Sequence, residues 1–339
     1  MSQTPKDAPP PFSGAPDPDV SYPPDIIIRS VDGVDLHVHR AIVGHVSLFF
    51  GGMFDIANKG DSSLDPDSYR DGKPVVLCDE PLDVLHRLLC IAYPRVTDTL
   101  LAAEGLDGIA EVHRVANKFL FIGVEKLLEN LLANPTVLEA HPHQVYAIAH
   151  IRNLPDLART AALYTLKSPV CPADLRFQEL ALLSALALQK LYDFHYSCGK
   201  AAEKIAQNYC QSIDADNPPT AITHAPDGSF EYVWWESARE GYHDGECGPY
   251  LIEKGGPDFN WIELLPVPWF QNHAKFVGAK LRAVPSPATA ETQAGVIAKA
   301  ESDMIEHCHA CSEAAEPQLP FWAKHLAARV EASNAELGP

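Results

Sequence analysis

The 339 residues exceed the roughly 100–200 of a typical domain, so two or three packed units are expected, and a 46% hydrophobic fraction is enough for folded cores. A formal net charge of −19, with lysines and arginines scattered and no basic patch, opposes phosphate backbones and anionic lipid surfaces, which disfavours direct nucleic-acid and membrane-surface binding. Nothing approaches the roughly 18 apolar residues of a bilayer span, the first twenty residues lack a signal-peptide core, and the eight cysteines are dispersed, so the expectation is a soluble intracellular protein, cytoplasmic or nuclear, with reduced thiols.

Residues 1–23 are rich in proline, aspartate and small residues and read as a disordered tail. From Asp25 the β-branched segments DIIIRS and VDLHV flank Val31-Asp32-Gly33, which predicts a hairpin. After His39-Arg40 the period becomes helical, with Ile42, Val46, Phe49, Phe50 and Met53 on one face. A polar, turn-rich stretch over 55–73 leads to a strand at 74–77. An amphipathic helix carrying Leu82, Leu85, Leu88, Leu89 and Ala92 then ends at Tyr93-Pro94. Helices follow at about 107–121 and 123–133, then at 136–151, 155–167 and 173–207. Beyond Asn217-Pro218-Pro219 lie all five tryptophans, which suggests a third core, and residues 284–293 read as a linker or loop.

Asp25-Ile26-Ile27-Ile28, the His39-Arg40 pair, Ser47-x-x-Phe50 and Met53-Phe54 occur in the order that opens a BTB/POZ domain, and Leu85-x-x-Leu88-Leu89-x-x-Ala92-Tyr93 with Val115-Ala116-Asn117-Lys118-Phe119 resembles that family's later helices. The layout is most similar to BTB proteins of mushroom-forming fungi. The resemblance implies an α+β fold, with a BTB/POZ domain over 24–134 (a small sheet with a helical cluster), a BACK-like helical extension over 135–212 and a C-terminal accessory region over 213–339. It implies a non-enzymatic adaptor that forms a homodimer or binds another protein, such as a cullin-3 ubiquitin-ligase scaffold or a transcriptional corepressor, without a cofactor. His39 is expected as a buried, hydrogen-bonded structural residue, and Phe50, Met53 and Phe54 as packing. Cullin-binding members carry a hydrophobic-x-Glu element soon after the Met-Phe pair; residues 55–60 here contain no glutamate.

Two other chemistries are legible. His195-x-x-Cys198 and His307-Cys308-His309-x-Cys311 are zinc-type donors, and Cys210 and Cys247 could join them, but structural zinc usually uses two separated pairs, and buried thiols with surface histidines are the plainer reading. Tyr242-His243-Asp244 and Glu246-Cys247 place a histidine near a cysteine, yet sequence neighbours seldom form a catalytic pair and a solvated loop is the simpler account. No Gly-x-Ser-x-Gly elbow, phosphate-binding glycine loop or His-Glu-x-x-His helix is present, which argues against an enzyme. Trp234, Trp235, Trp261 and Trp269 are expected in a core rather than lining a partner groove.

Overall fold

The computed structural model describes residues 6–15, 22–59, 69–93, 105–171, 175–208, 211–212, 225, 227–228, 231–235, 243, 247, 250–256, 259–297 and 305–338. The architecture is mixed α+β. The chain divides into two compact units, one of residues 1–158 with 175–183 and the other of 159–174 with 184–339, so the expected boundaries at 134 and 212 fall inside the units.

The first unit is built on a five-stranded sheet of order β1-β3-β2-β5-β4, from β1 (Lys6–Asp7), β2 (Ile26–Arg29), β3 (Val34–Val38), β4 (Tyr69–Arg70) and β5 (Lys73–Leu77). β2 and β3 form the expected antiparallel hairpin, with Gly33 at φ +74° in the turn, and β5 joins β2 in parallel. β2 is therefore central, and Ile26, Ile27 and Ile28 are all buried, as a run of three apolar residues requires. Asp32 in the hairpin turn reaches the start of α3 (Leu82–Ala92), where its carboxylate accepts from the Leu82 N–H at 2.7 Å. The cap is useful there because Pro81, before the helix, has no side chain able to bond that amide.

The single helix expected after Arg40 is two, α1 (Arg40–Val46) and α2 (Leu48–Lys59). Ser47 breaks the run: it is extended, and its hydroxyl accepts from the Phe50 N–H at 3.1 Å as the cap of α2. That break resets the helical phase, so Val43 and Phe50 are buried while Phe49, assigned inward from the sequence, is exposed. The unit continues with α4 (Ile109–Lys118), α5 (Ile122–Leu132), α6 (Pro135–Ala140) and α7 (Pro142–Ile151), and α8 (Pro155–Thr165) carries the chain across the division. His141-Pro142 splits the helix expected over 136–151 into α6 and α7. Residues 175–183 return to cap α4: the buried Glu179 carboxylate accepts from the Gly108 N–H at 2.8 Å and from the Gln144 amide at 3.0 Å. Within the expected disordered tail, residues 6–15 hold β1 in parallel register with β3 and bury Phe12 against Tyr93, with ring centroids 5.1 Å apart.

In the second unit α9 (Ala185–Gln207) packs with α10 (Pro268–Ala283) and α12 (His309–Leu337). A Cβ on Gly199 of α9 would lie 2.4 Å from the Arg282 carbonyl oxygen of α10, so only glycine permits this approach. β6 (Gln211–Ser212), β7 (Tyr250–Gly256) and β8 (Phe259–Leu265) form a small antiparallel sheet of order β6-β8-β7. Trp234, Trp235, Trp269 and Trp322 are core residues, as expected for the first three, and the Trp261 side chain lies outside the described residues. Tyr232, Trp234 and Phe270 stack at 4.7 and 4.6 Å, with Trp322 edge-on to Phe270 at 4.9 Å. The expected linker over 284–293 is corrected: Pro287–Ala294 is a helix, α11, with Ala290 and Ala294 buried. Its signal was Ser286-Pro287, a capping serine, which accepts from the Thr289 N–H at 3.1 Å, followed by a first-turn proline. α12 runs through Pro317 and Pro320, each a helix-breaking choice offset here by the buried face of Leu319, Trp322, Leu326 and Val330.

Candidate metal centre and apolar groove

Asp25, His39, Arg40, Ser47, Phe54 and Tyr93 form one joint in the first unit. The Asp25 carboxylate accepts from the Arg40 N–H at 2.7 Å, which caps the start of α1. The Tyr93 hydroxyl accepts from the His39 N–H at 2.8 Å and lies 3.4 Å from His39 Nδ1, while His39 Nε2 bonds the Tyr22 carbonyl at 2.9 Å. Burial pushes Tyr93 up to about 12, so its hydroxyl keeps its proton. Arg40 donates to the Phe54 carbonyl at 2.8 Å and sits 4.9 Å over the Phe54 ring, tying the first turn of α1 to α2. Ser47, fully buried, also donates to the Phe119 carbonyl at 2.6 Å. Phe50 and Phe54 are core, Met53 is half-buried, and His39 is half-buried rather than buried.

Beside this joint the surface is apolar. His45, Val46, Leu48, Ile91, Ala92, Leu120, Ile122, Gly123, Val124 and Leu127 line a groove of about 360 Å³. Leu48 is 62% exposed on its rim. Leu120 stands between α4 and α5 at φ +54°, left-handed backbone that disfavours a leucine by about 1–2 kcal/mol, and its side chain is exposed on the groove. Along α2 the apolar exposure continues through Phe49 and through Ile56, which is 75% exposed.

Two charged networks surround the sheet, and the sequence reading did not find them. Asp35 is fully buried, and its carboxylate accepts from Arg29 at 2.5 and 2.9 Å and from Arg70 at 2.5 Å. Burial would raise its carboxyl, but the two guanidinium groups outweigh this and hold it below the usual carboxylate range. Glu80, also buried, is lowered by hydrogen bonds from Arg114, against burial, and from Lys118.

The second unit assembles a different group of side chains. His243, Cys247, Cys308 and Cys311 place one ligand atom each within 4.8 Å of one another. Cys308 precedes α12 and Cys311 lies in its first turn, so the two sulfurs face one side across one helical turn. Cys247 Sγ lies 3.6 Å from Cys311 Sγ, and His243 Nδ1 lies 3.4 Å from Cys308 Sγ and 3.5 Å from Cys311 Sγ. The other ring nitrogen, His243 Nε2, is 3.1 Å from the Val233 carbonyl, which it meets as a donor, and the Trp269 indole N–H donates to Cys311 Sγ at 3.3 Å. A hydrogen bond from Cys311 draws Cys247 down to about 5 against the effect of burial, and the same contact, with burial, pushes Cys311 up. His243 rises to about 9: burial disfavours its charge, but bonds to Cys247 and Cys308 prevail. The set is chemically a three-sulfur, one-nitrogen donor group able to hold a metal ion.

Of the zinc-type candidates read from sequence, Cys247, Cys308 and Cys311 come together. His195 and Cys198 do not: His195 Nε2 meets the Ser168 carbonyl at 3.2 Å, and Cys198 is a buried thiol pushed up to about 12 by burial. Cys210 lies outside the described residues, and His307 and His309 are exposed, as the crowding of that run requires. The missed member is His243, which had been assigned with Cys247 to a solvated loop; both are half-buried against α12. The signal was present as His243-x-x-x-Cys247 and Cys308-x-x-Cys311, two separated pairs of metal-ligand spacing. Among the described residues no helix is long and apolar enough to cross a membrane. Compared with protein-family models and with curated proteins, the chain matches none.

Proposed function

We propose that the chain is a non-enzymatic interaction protein whose first unit works as a BTB/POZ-type self-associating platform. The observation that carries this reading is the set of exposed apolar side chains at the groove, Leu48, Leu120 and Ile122, and on α2, Phe49 and Ile56. Scattered exposed apolar residues are ordinary, but an extended patch on one face beside a groove is what association surfaces present. A leucine kept in left-handed backbone at the groove points the same way, since such strain persists where the exposed conformation is used. Further support comes from the antiparallel β2–β3 hairpin with β5 in parallel on β2, and from the joint made by Asp25, His39, Arg40, Ser47 and Tyr93. This arrangement suits the family resemblance read from those residues.

The occupant of the α2 face is a second copy of the chain, and the groove beside it takes an apolar segment of another protein, of the scaffold or corepressor class. Cytoplasmic or nuclear residence follows from that role. Light scattering over a range of concentrations tests the self-association. The reading expects the mass to rise towards twice the 37.0 kDa of one chain, and a mass that stays at one chain throughout would sink it.

A further inference from the structure

We propose that His243, Cys247, Cys308 and Cys311 form a closed structural zinc(II) site that fastens residues 243 and 247 to the N-terminal turn of α12. The argument begins with edge lengths. A tetrahedral zinc with sulfur at about 2.3 Å and nitrogen at about 2.05 Å holds its sulfurs about 3.8 Å apart and each sulfur about 3.6 Å from the nitrogen. The separations of 3.6 Å between Cys247 and Cys311, and of 3.4 and 3.5 Å from His243 to Cys308 and Cys311, are within about 0.2 Å of those edges. On binding, those three edges widen by about 0.1–0.2 Å, and the other separations in the group, all within 4.8 Å, close to the same edges.

The surroundings are those of a metal site. The Nε2–H of His243 is engaged by the Val233 carbonyl, which fixes the tautomer that leaves the Nδ1 lone pair facing the sulfurs. Three thiolates and a neutral imidazole around Zn²⁺ carry a net charge of about −1, and the structure offers two things to balance it. The Trp269 indole N–H is directed at Cys311 Sγ, and Cys308 and Cys311 sit where the peptide dipoles of α12 present their positive end. Cys308 and Cys311 are fully buried, so unligated thiols here would be a crowded polar group inside the aromatic core.

Donor identity selects the ion. Three thiolates with one imidazole at tetrahedral spacing suit zinc, whereas hard oxygen-seeking cations find no oxygen donor in the set. All four positions are filled by protein, so no place is left for an activated water, and the site is structural rather than catalytic. On loading, Zn²⁺ replaces the protons of the thiols, which leave to solvent, with no change of oxidation state.

The test uses the full-length protein purified without chelator under mild reduction. Elemental analysis is expected to find about one zinc per chain, and cobalt exchanged into the site should give the strong visible bands of tetrahedral thiolate coordination. Cys308→Ser and Cys311→Ser should lower the metal content at least tenfold. Because those variants remove buried groups and can unfold, His243→Cys supplies the second arm: it should keep the metal and strengthen the thiolate-to-cobalt absorption. Folded wild-type protein that holds no zinc and takes up none when it is added would overturn the proposal. So would zinc that persists in folded Cys308→Ser protein, or a Cys247–Cys311 disulfide found by thiol counting in the freshly purified chain.

Discussion

The first unit buries carboxylates against guanidinium groups, and the second buries thiols against an imidazole and an indole. Asp35 and Glu80 find their counter-charges in Arg29, Arg70, Arg114 and Lys118 of the same unit. The group formed by His243, Cys247, Cys308 and Cys311 has matching geometry and shared protons but calls for a cation from solution. The difference teaches that one chain can contain a unit stabilised by its own sequence and a unit whose stability is set by metal supply.

Tryptophan fluorescence separates the two, because all five tryptophans belong to the second unit. The largest expected effect is therefore chelation. Structural zinc contributes about 10–16 kcal/mol in zinc-binding peptides, far above the margin of an ordinary domain, so removing it should red-shift the tryptophan emission and loosen the core around Trp234 and Trp269 while helicity in the first unit persists. Unchanged emission after complete metal removal would erase the contrast.

Next in size is the Asp35 network. Asp35→Ala leaves Arg29 and Arg70 side by side without their buried partner and should cost about 3–5 kcal/mol, read as a lower midpoint in the urea unfolding of the first unit. The pH dependence has a definite sign. Asp35 and Glu80 are both lowered in the folded state, so their stabilisation is complete above the unfolded values of about 3.9 and 4.3 and is lost as pH falls through the lower folded values. Circular dichroism of the wild type should accordingly show a first unit indifferent to pH from neutrality down to about 5 and destabilised below about 4; loss nearer pH 6 would contradict the assignment.

The smallest effect is expected at Leu120. Glycine accepts φ +54° without strain, so Leu120→Gly trades about 1–2 kcal/mol of relieved strain against chain entropy and lost contact, and stability should change by less than about 1 kcal/mol. A loss above about 3 kcal/mol would mean that the side chain is a packing residue, as for a buried leucine, and not part of an association surface.

Legibility in the sequence followed locality. The hairpin at Asp32-Gly33, the end of α3 at Tyr93 and the helices α4 and α5 were readable because each is written in neighbouring residues. The break at Ser47 was hidden because Ile42 to Met53 keep an almost continuous helical period, and the bond from Ser47 to Phe119 that reinforces its local cap is long-range. The metal cluster was half legible: Cys308 and Cys311 were singled out, but pairing them with His243 and Cys247 needs a contact across more than 60 positions. The buried Asp35 lay unseen in an alternating strand, since nothing local tells a solvent-facing aspartate from one held by two arginines.

The role proposed for the first unit rests on self-association through α2, and its most direct measurement is the solution mass of wild-type protein beside Ile56→Lys, by light scattering at matched concentrations. The account predicts a wild-type dimer whose dissociation constant rises at least about tenfold in the variant, a change of about 1.4 kcal/mol, with tryptophan emission unaltered. A wild type that remains a monomer, or a variant that dimerises as well as its parent, would contradict it.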